Sequence, residues 1–183
     1  MNFIETNLQG CFIIEPKVFH DDRGHFMESF NQNTFENGIG QKINFVQDNQ
    51  SFSTKGVLRG LHYQCGEYAQ AKLVRVLEGE VLDVAVDLRL DSPSYGQSYS
   101  IVLTAENKKQ FFIPRGFAHG FLVLSDTATF FYKCDNFYNK ESEGGLIFND
   151  ATVNIDWRFP ADELIISEKD QVLPTLENAK KVW

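Results

Sequence analysis

The chain has 183 residues, with Lys+Arg 17 against Asp+Glu 25, a formal net charge of -8 and a pI near 5.0. This length fits one domain, 43% hydrophobic and 23% charged residues describe a globule rather than a disordered or collagen-like chain, and the acidic balance argues against a nucleic-acid or anionic-membrane surface, which needs a basic footprint. No apolar run approaches the ~18 residues of a membrane span, and the opening MNFIETNLQG lacks the basic and apolar regions of a leader, so the expectation is one cytoplasmic domain over residues 1–183 that meets any anion in a local pocket.

Along the chain, aromatic and β-branched residues recur in short runs separated by Gly, Asn, Asp or Ser, the pattern of a sandwich or barrel. Strands are expected over residues 11–15, 25–30, 43–51, 57–63, 72–77, 81–88, 98–103, 110–113, 120–124 and 127–133. So many short strands in one domain imply a closed or two-sheet body, and the class is mainly β. Between 81 and 88 the period is two: Leu82, Val84, Val86 and Leu88 alternate with Asp83, Ala85, Asp87 and Arg89, which predicts one packed face and one polar face. Residues 77–81, with Gly79 inside, read as a hairpin turn. Helical periods are short and confined to residues 33–37 and the last twenty-five residues, where they would cap the β-body. Cys11, Cys65 and Cys134 are odd in number, scattered and without a CxxC pair, so they read as ordinary buried thiols rather than a disulfide framework or zinc cluster.

Two of the four histidines lie on apolar segments flanked by glycine: His62 in Arg59-Gly60-Leu61-His62-Tyr63-Gln64, and His119 in Pro114-Arg115-Gly116-Phe117-Ala118-His119-Gly120. Glycine removes side-chain bulk where something must approach. Either histidine, taken alone, reads first as a core residue bonded to a neighbour. His20 and His25 sit in a polar turn. The Pro114, Gly116, His119 spacing resembles the second motif of the cupin superfamily, in which that histidine is a metal ligand on a small β-barrel. The first cupin motif is broken, because His62 is followed by Gln64 and Lys72 stands seven residues before Gly79, where a metal cupin carries its carboxylate. An ammonium there would repel a divalent cation and could stabilise negative charge, so anion or enolate chemistry is favoured over metal chemistry.

Over nearly its full length the chain resembles the dTDP-4-dehydrorhamnose 3,5-epimerases. The likeness rests on seven blocks in order, residues 22–28 (DRGHFME), 47–49 (QDN), 56–62 (GVLRGLH), 71–74 (AKLV), 83–89 (DVAVDLR), 113–121 (IPRGFAHGF) and 164–170 (LIISEKD). The resemblance implies a cupin-type β-barrel or jelly roll of two antiparallel sheets with short peripheral helices near the C-terminus, and a cofactor-free, metal-free isomerase. It would epimerise dTDP-4-dehydro-6-deoxy-α-D-glucose at C3 and C5, giving dTDP-4-dehydro-β-L-rhamnose. Both carbons flank the C4 ketone, so a base on one face, a stabiliser at O4 and an acid on the other face are required. By the resemblance His62 is the base, Asp170 orients its ring, Lys72 stabilises the enolate oxygen and Tyr132 is the acid. Arg59, Gln47, Asp48, Asn49, His119, Glu143 and Lys169 would contact the substrate together with Lys72. Arg23 and Glu28 would reach the nucleotide from a partner subunit, which implies a homodimer with a shared nucleotide site.

Strict strand parity places Arg59 and His62 on opposite faces, so a bulge at Gly60 is expected to re-aim one of them. Competing readings are a C3 or C5 single-position epimerase or a 3,4-ketoisomerase of a dTDP-4-keto-6-deoxy sugar, a metal-dependent cupin oxygenase, and a non-catalytic sugar-nucleotide binder. Gln64 and Lys72 disfavour the oxygenase. A mere binder would have no need of the full acid, base and enolate set.

Overall fold

The structure, a computed structural model, describes residues 1–183. Its strands are β1 (Asn2–Glu5), β2 (Phe12–Glu15), β3 (Val18–Asp21), β4 (Gly24–Met27), β5 (Gln47–Thr54), β6 (Val57–Gln64), β7 (Lys72–Glu78), β8 (Glu80–Asp87), β9 (Ser98–Thr104), β10 (Gln110–Ile113), β11 (Phe117–Val123), β12 (Thr127–Cys134), β13 (Glu143–Gly145) and β14 (Ile165–Ile166). Helices α1 (Gln32–Ile39) and α2 (Glu168–Gln171) and four short 3-10 turns complete it. One antiparallel sheet has the order β1-β2-β10-β7-β12-β5; the other runs β13-β6-β11-β8-β9, with β14 added parallel to β6. The β3–β4 hairpin belongs to neither sheet. This is the mainly β, two-sheet body expected from the sequence.

Period-two alternation places the core. Val74, Val76, Val81, Ala85, Phe111, Phe117, Phe121, Val123, Ala128 and Phe130 meet between the sheets. The expectation of one polar face on β8 is corrected here, because both faces are buried. Leu82, Val84 and Val86 pack outward against Trp157, Val153, Leu176 and Val182 of the C-terminal arm, while Asp83 and Asp87 point inward at 0% exposure. The polar residues alternate as they would on a solvated face, but here the inner face has its own polar work. The C-terminal arm is mainly irregular rather than helical: only α2 and short 3-10 turns form, and its apolar residues serve as a cover for the second sheet.

Gly79 also departs from expectation. It joins β7 of one sheet to β8 of the other, so it forms a corner between layers, not a hairpin. Its φ of 79° and the Thr127 carbonyl oxygen lying 2.0 Å from where a Cβ would stand restrict the position to glycine.

A third cluster explains much of the phenylalanine content. Phe35 and Ile39 of α1 pack on Ile14, Leu73 and Phe112 of the first sheet, ringed by Phe3, Phe12, Phe30 and Phe45. The helix starts where the Asn31 side chain accepts from the Thr34 N–H and stops at Gly40, whose φ is 73°. Burying Phe35 to 1% exposure stabilises by about 1.5–3 kcal/mol. All three cysteines are buried free thiols, as expected.

Candidate active site

The site is built on an irregularity in β6. His119 and Phe121 of β11 are two residues apart and therefore share a face; their partners on β6 are His62 and Arg59, which are three apart. One extra residue on β6 thus turns both side chains to the inner face, as the parity conflict required. Gly60, with φ 117°, carries the shift. A Cβ there would lie 2.7 Å from the Gly120 Cα, and one on Gly120 would lie 2.7 Å from the Arg59 carbonyl oxygen. What the two glycines admit is each other's backbone.

The bulge frees the Gly60 N–H, which donates to Asp170 Oδ2 at 3.2 Å. The other oxygen, Asp170 Oδ1, bonds His62 Nε2 at 2.7 Å. Asp170 is delivered from α2, whose Ser167 cap accepts from the Asp170 N–H. Burial alone would raise this carboxyl, but hydrogen bonds from His62, Gly60 and Ser167 prevail and hold it below the usual range. The second ring nitrogen of His62 remains free of protein partners while the side chain keeps 32% exposure.

Lys72 starts β7 on the same face as Val74 and Val76, and its Nζ reaches the His62 carbonyl at 3.4 Å. Burial pulls this ammonium below the ordinary lysine range, while acidic neighbours including Asp83 and Glu143 pull the other way. Tyr132 lies on β12 beside Phe130, with ring centroids 6.0 Å apart; burial raises its phenol, so it stays protonated at neutral pH. These groups line a cavity of about 620 Å³ with Arg59, Asn49, His119, Phe121, Asp170 and Lys169. A second cavity of about 310 Å³ shares His62, Lys72, Asn49 and Tyr132 and adds Gln47, Gln64, Gln70, Tyr138 and Glu143. Both volumes suit a ligand of modest size.

Arg59 donates through Nε to Ser53 Oγ at 3.1 Å. Lys169 and Glu143 pair at 2.7 Å at the rim; that pairing, together with the Tyr138 hydroxyl, holds Glu143 below the usual carboxylate range despite its partial burial. Three expected contacts lie elsewhere. Asp48 falls on the outer face of β5 and pairs with Lys133 at 3.0 Å, because strand alternation sends only Gln47 and Asn49 inward. Arg23 and Glu28 belong to the β3–β4 hairpin and its exit; Arg23 is 90% exposed and bonded to Asp21. No group of three or more His, Cys, Asp and Glu side chains is placed to hold a metal ion.

Reading the sequence missed Asp83, which bonds His119 Nε2 at 2.9 Å, and Tyr138, which donates to Glu143 at 3.2 Å. Asp83 was hidden by its apparent solvent face. Ser51 and Ser53 were legible by counting in twos from Asn49.

Comparison with known proteins places this geometry among relatives. The family model described as dTDP-4-dehydrorhamnose 3,5-epimerase matches residues 5–178. The dTDP-4-dehydrorhamnose 3,5-epimerase of Shigella flexneri is 57% identical over 170 residues, 93% of each chain. Among solved structures, the enzyme of that name from Elizabethkingia anophelis superposes with a TM-score of 0.95 at 57% identity, covering 100% of this chain and 99% of that one. The dTDP-6-deoxy-D-glucose-3,5-epimerase of Legionella pneumophila, solved in complex with dTDP-4-keto-L-rhamnose, gives a TM-score of 0.93 at 50% identity over 97% and 93% of the two chains.

Proposed function

The chain belongs to the dTDP-4-dehydrorhamnose 3,5-epimerase family, and from that membership we infer an isomerase that converts dTDP-4-dehydro-6-deoxy-α-D-glucose to dTDP-4-dehydro-β-L-rhamnose. The observation that carries the mechanism is that a His–Asp pair, an ammonium and a phenol, from four separate elements, line one cavity. In each half-reaction His62 removes the proton from the carbon beside the ketone. The electron pair of the C–H bond passes to O4, where the Lys72 ammonium stabilises the enolate, and Asp170 stabilises the imidazolium. As the enolate collapses, Tyr132 returns a proton to the opposite face, and both side chains then re-equilibrate with solvent. The same steps at C3 and C5 complete the double inversion, with no cofactor or metal taking part.

Arg59, with Lys169 nearby, supplies the guanidinium and ammonium charge that a pyrophosphate needs inside an acidic protein. Asn49, Gln47, Glu143 and His119 complete the substrate contacts. Arg23 and Glu28 act across a homodimer interface; the exposure of Arg23, outside the cavity of its own subunit, supports a shared nucleotide site. The enzyme works as one domain over residues 1–183, since both sheets furnish the cavity. Three free thiols support a cytoplasmic setting, and no helix is long and apolar enough to cross a membrane.

Turnover in heavy water tests this reading. The product should carry deuterium at both C3 and C5, and activity should survive EDTA. Label at one carbon alone would make the protein a single-position epimerase, and activity lost to EDTA and restored by iron or zinc would move it to the oxygenases.

A further inference from the structure

His62 and His119 are direct partners across β6 and β11, and each is bonded through Nε2 to an aspartate: His62 to Asp170, His119 to Asp83. Of the second pair, the mechanism above uses His119 only as a substrate contact and gives Asp83 no role. Asp83 is fully buried on a strand whose other inner residues are Val81, Ala85 and Asp87. Asp87 shows what a structural carboxylate looks like here: its two oxygens accept from Arg89, Ser92 and Ser94. Asp83 instead spends one oxygen on His119, and its Oδ1 is the only buried side-chain polar atom of the molecule without a partner. A buried polar group left so unsatisfied needs a reason beyond packing.

The chemistry of the pair supplies one. A carboxylate can only accept, so the hydrogen between Asp83 Oδ2 and His119 belongs to Nε2. Burial, reinforced by the nearby Lys72 and His62 charges, keeps His119 neutral against the opposing pull of Asp83. A neutral imidazole carries one hydrogen, which leaves Nδ1 a bare lone pair. Nδ1 has no protein partner and is not among the buried unpartnered atoms, so it opens onto the cavity that His119 lines.

We infer that Asp83 is a positioning residue: it holds the ring proton of His119 on Nε2, so that Nδ1 faces the cavity as an acceptor for a hydroxyl of the bound sugar. The identity of that sugar rests on the epimerase reading; the ring tautomer does not. An acceptor there grips a hydroxyl donor and leaves the ketone oxygen to Lys72, which fixes how the ring is offered to His62.

The test is nitrogen NMR of the ligand-free enzyme labelled in histidine, with His119 assigned by the signals lost in His119→Gln. The expected spectrum has a protonated Nε2 and a bare Nδ1 for His119. In Asp83→Asn the amide can donate to Nε2, so the proton should move to Nδ1; kcat/KM should fall roughly tenfold, mostly through KM, as one hydrogen bond is lost. Affinity for dTDP alone should stay within about twofold, since the contact is to the sugar. A protonated Nδ1 in the unaltered enzyme overturns the inference whether or not the variant folds. Loss of dTDP binding in step with kcat/KM would overturn it too, by showing a general structural role. The stated tautomer in an enzyme that epimerises nothing would leave the positioning intact and sink the epimerase reading instead.

Discussion

Arg59 and His62 stand three residues apart on one strand yet face the same cavity, because the strand opposite takes two steps, from Phe121 to His119, where β6 takes three. The guanidinium proposed for the pyrophosphate and the imidazole proposed as base are thereby brought to one cavity. The Gly60 N–H freed by this offset is used in turn to hold Asp170, the carboxylate partner of His62.

Gly60→Ala should therefore damage stability and chemistry together. The new methyl would meet the Gly120 Cα at 2.7 Å and the His119 carbonyl at 2.8 Å, on a residue whose φ is 117°. The expected cost is about 1–3 kcal/mol or more, a fall in Tm of roughly 2–4 °C per kcal/mol, with a larger loss of kcat/KM as Arg59 and His62 lose their common face. Thermal melting and steady-state kinetics check it, and an alanine variant with unchanged Tm and activity would contradict this account of the bulge.

His62→Asn and Tyr132→Phe should fail differently. Removing the base should cost at least the ~10²- to 10⁴-fold typical of acid–base catalysis and abolish deuterium uptake at both carbons, with nucleotide binding retained. Without the phenol, His62 can still form the enolate and return a solvent proton to the original face, so uptake should outrun inversion. Mass spectrometry and proton NMR of the recovered sugar separate the two, and rapid double exchange in His62→Asn would show that the base is another residue.

Under the proposed mechanism Lys72 sets an alkaline limit. Its active form is the ammonium, and burial lowers its pKa, so activity is present below that value and lost as pH rises through it. The falling limb of kcat/KM should lie below the ordinary lysine value of about 10.4. Lys72→Arg should push the limb upward while lowering the plateau. A limb that Lys72→Arg leaves in place would assign it to another group.

Mixed dimers test the shared site. Arg23→Ala and His62→Ala subunits, each inactive as homodimers, should recover about a quarter of the wild-type sites on co-refolding, because half the dimers are mixed and one of their two sites is intact. No recovery would mean that Arg23 serves its own subunit or none.

Much of this was legible in the chain. Alternation of apolar residues and the spacing of turn residues determined a two-sheet β-body, since a period of two has few other ways to be buried. The chemistry was named by the family resemblance that the motifs around His62, Lys72 and Asp170 carry, since taken singly His62 and Tyr132 read as core residues and Asp170 as a solvated charge. Tertiary structure decided the rest. Parity along β8 is the same whether its polar face meets water or the second sheet, so only packing could show that Asp83 and Asp87 point inward. Gly79 reads alike as a hairpin turn or a corner between sheets, and the pairing of β7 and β8 with other strands chose the corner. Asp170 lies 108 residues beyond His62, and their 2.7 Å bond exists because the C-terminal arm must cover the apolar outer face of the second sheet, which carries α2 to the freed N–H of the bulge. A long-range contact of this kind is set by which surfaces remain to be buried once the strands have paired, and no local pattern in a sequence records that.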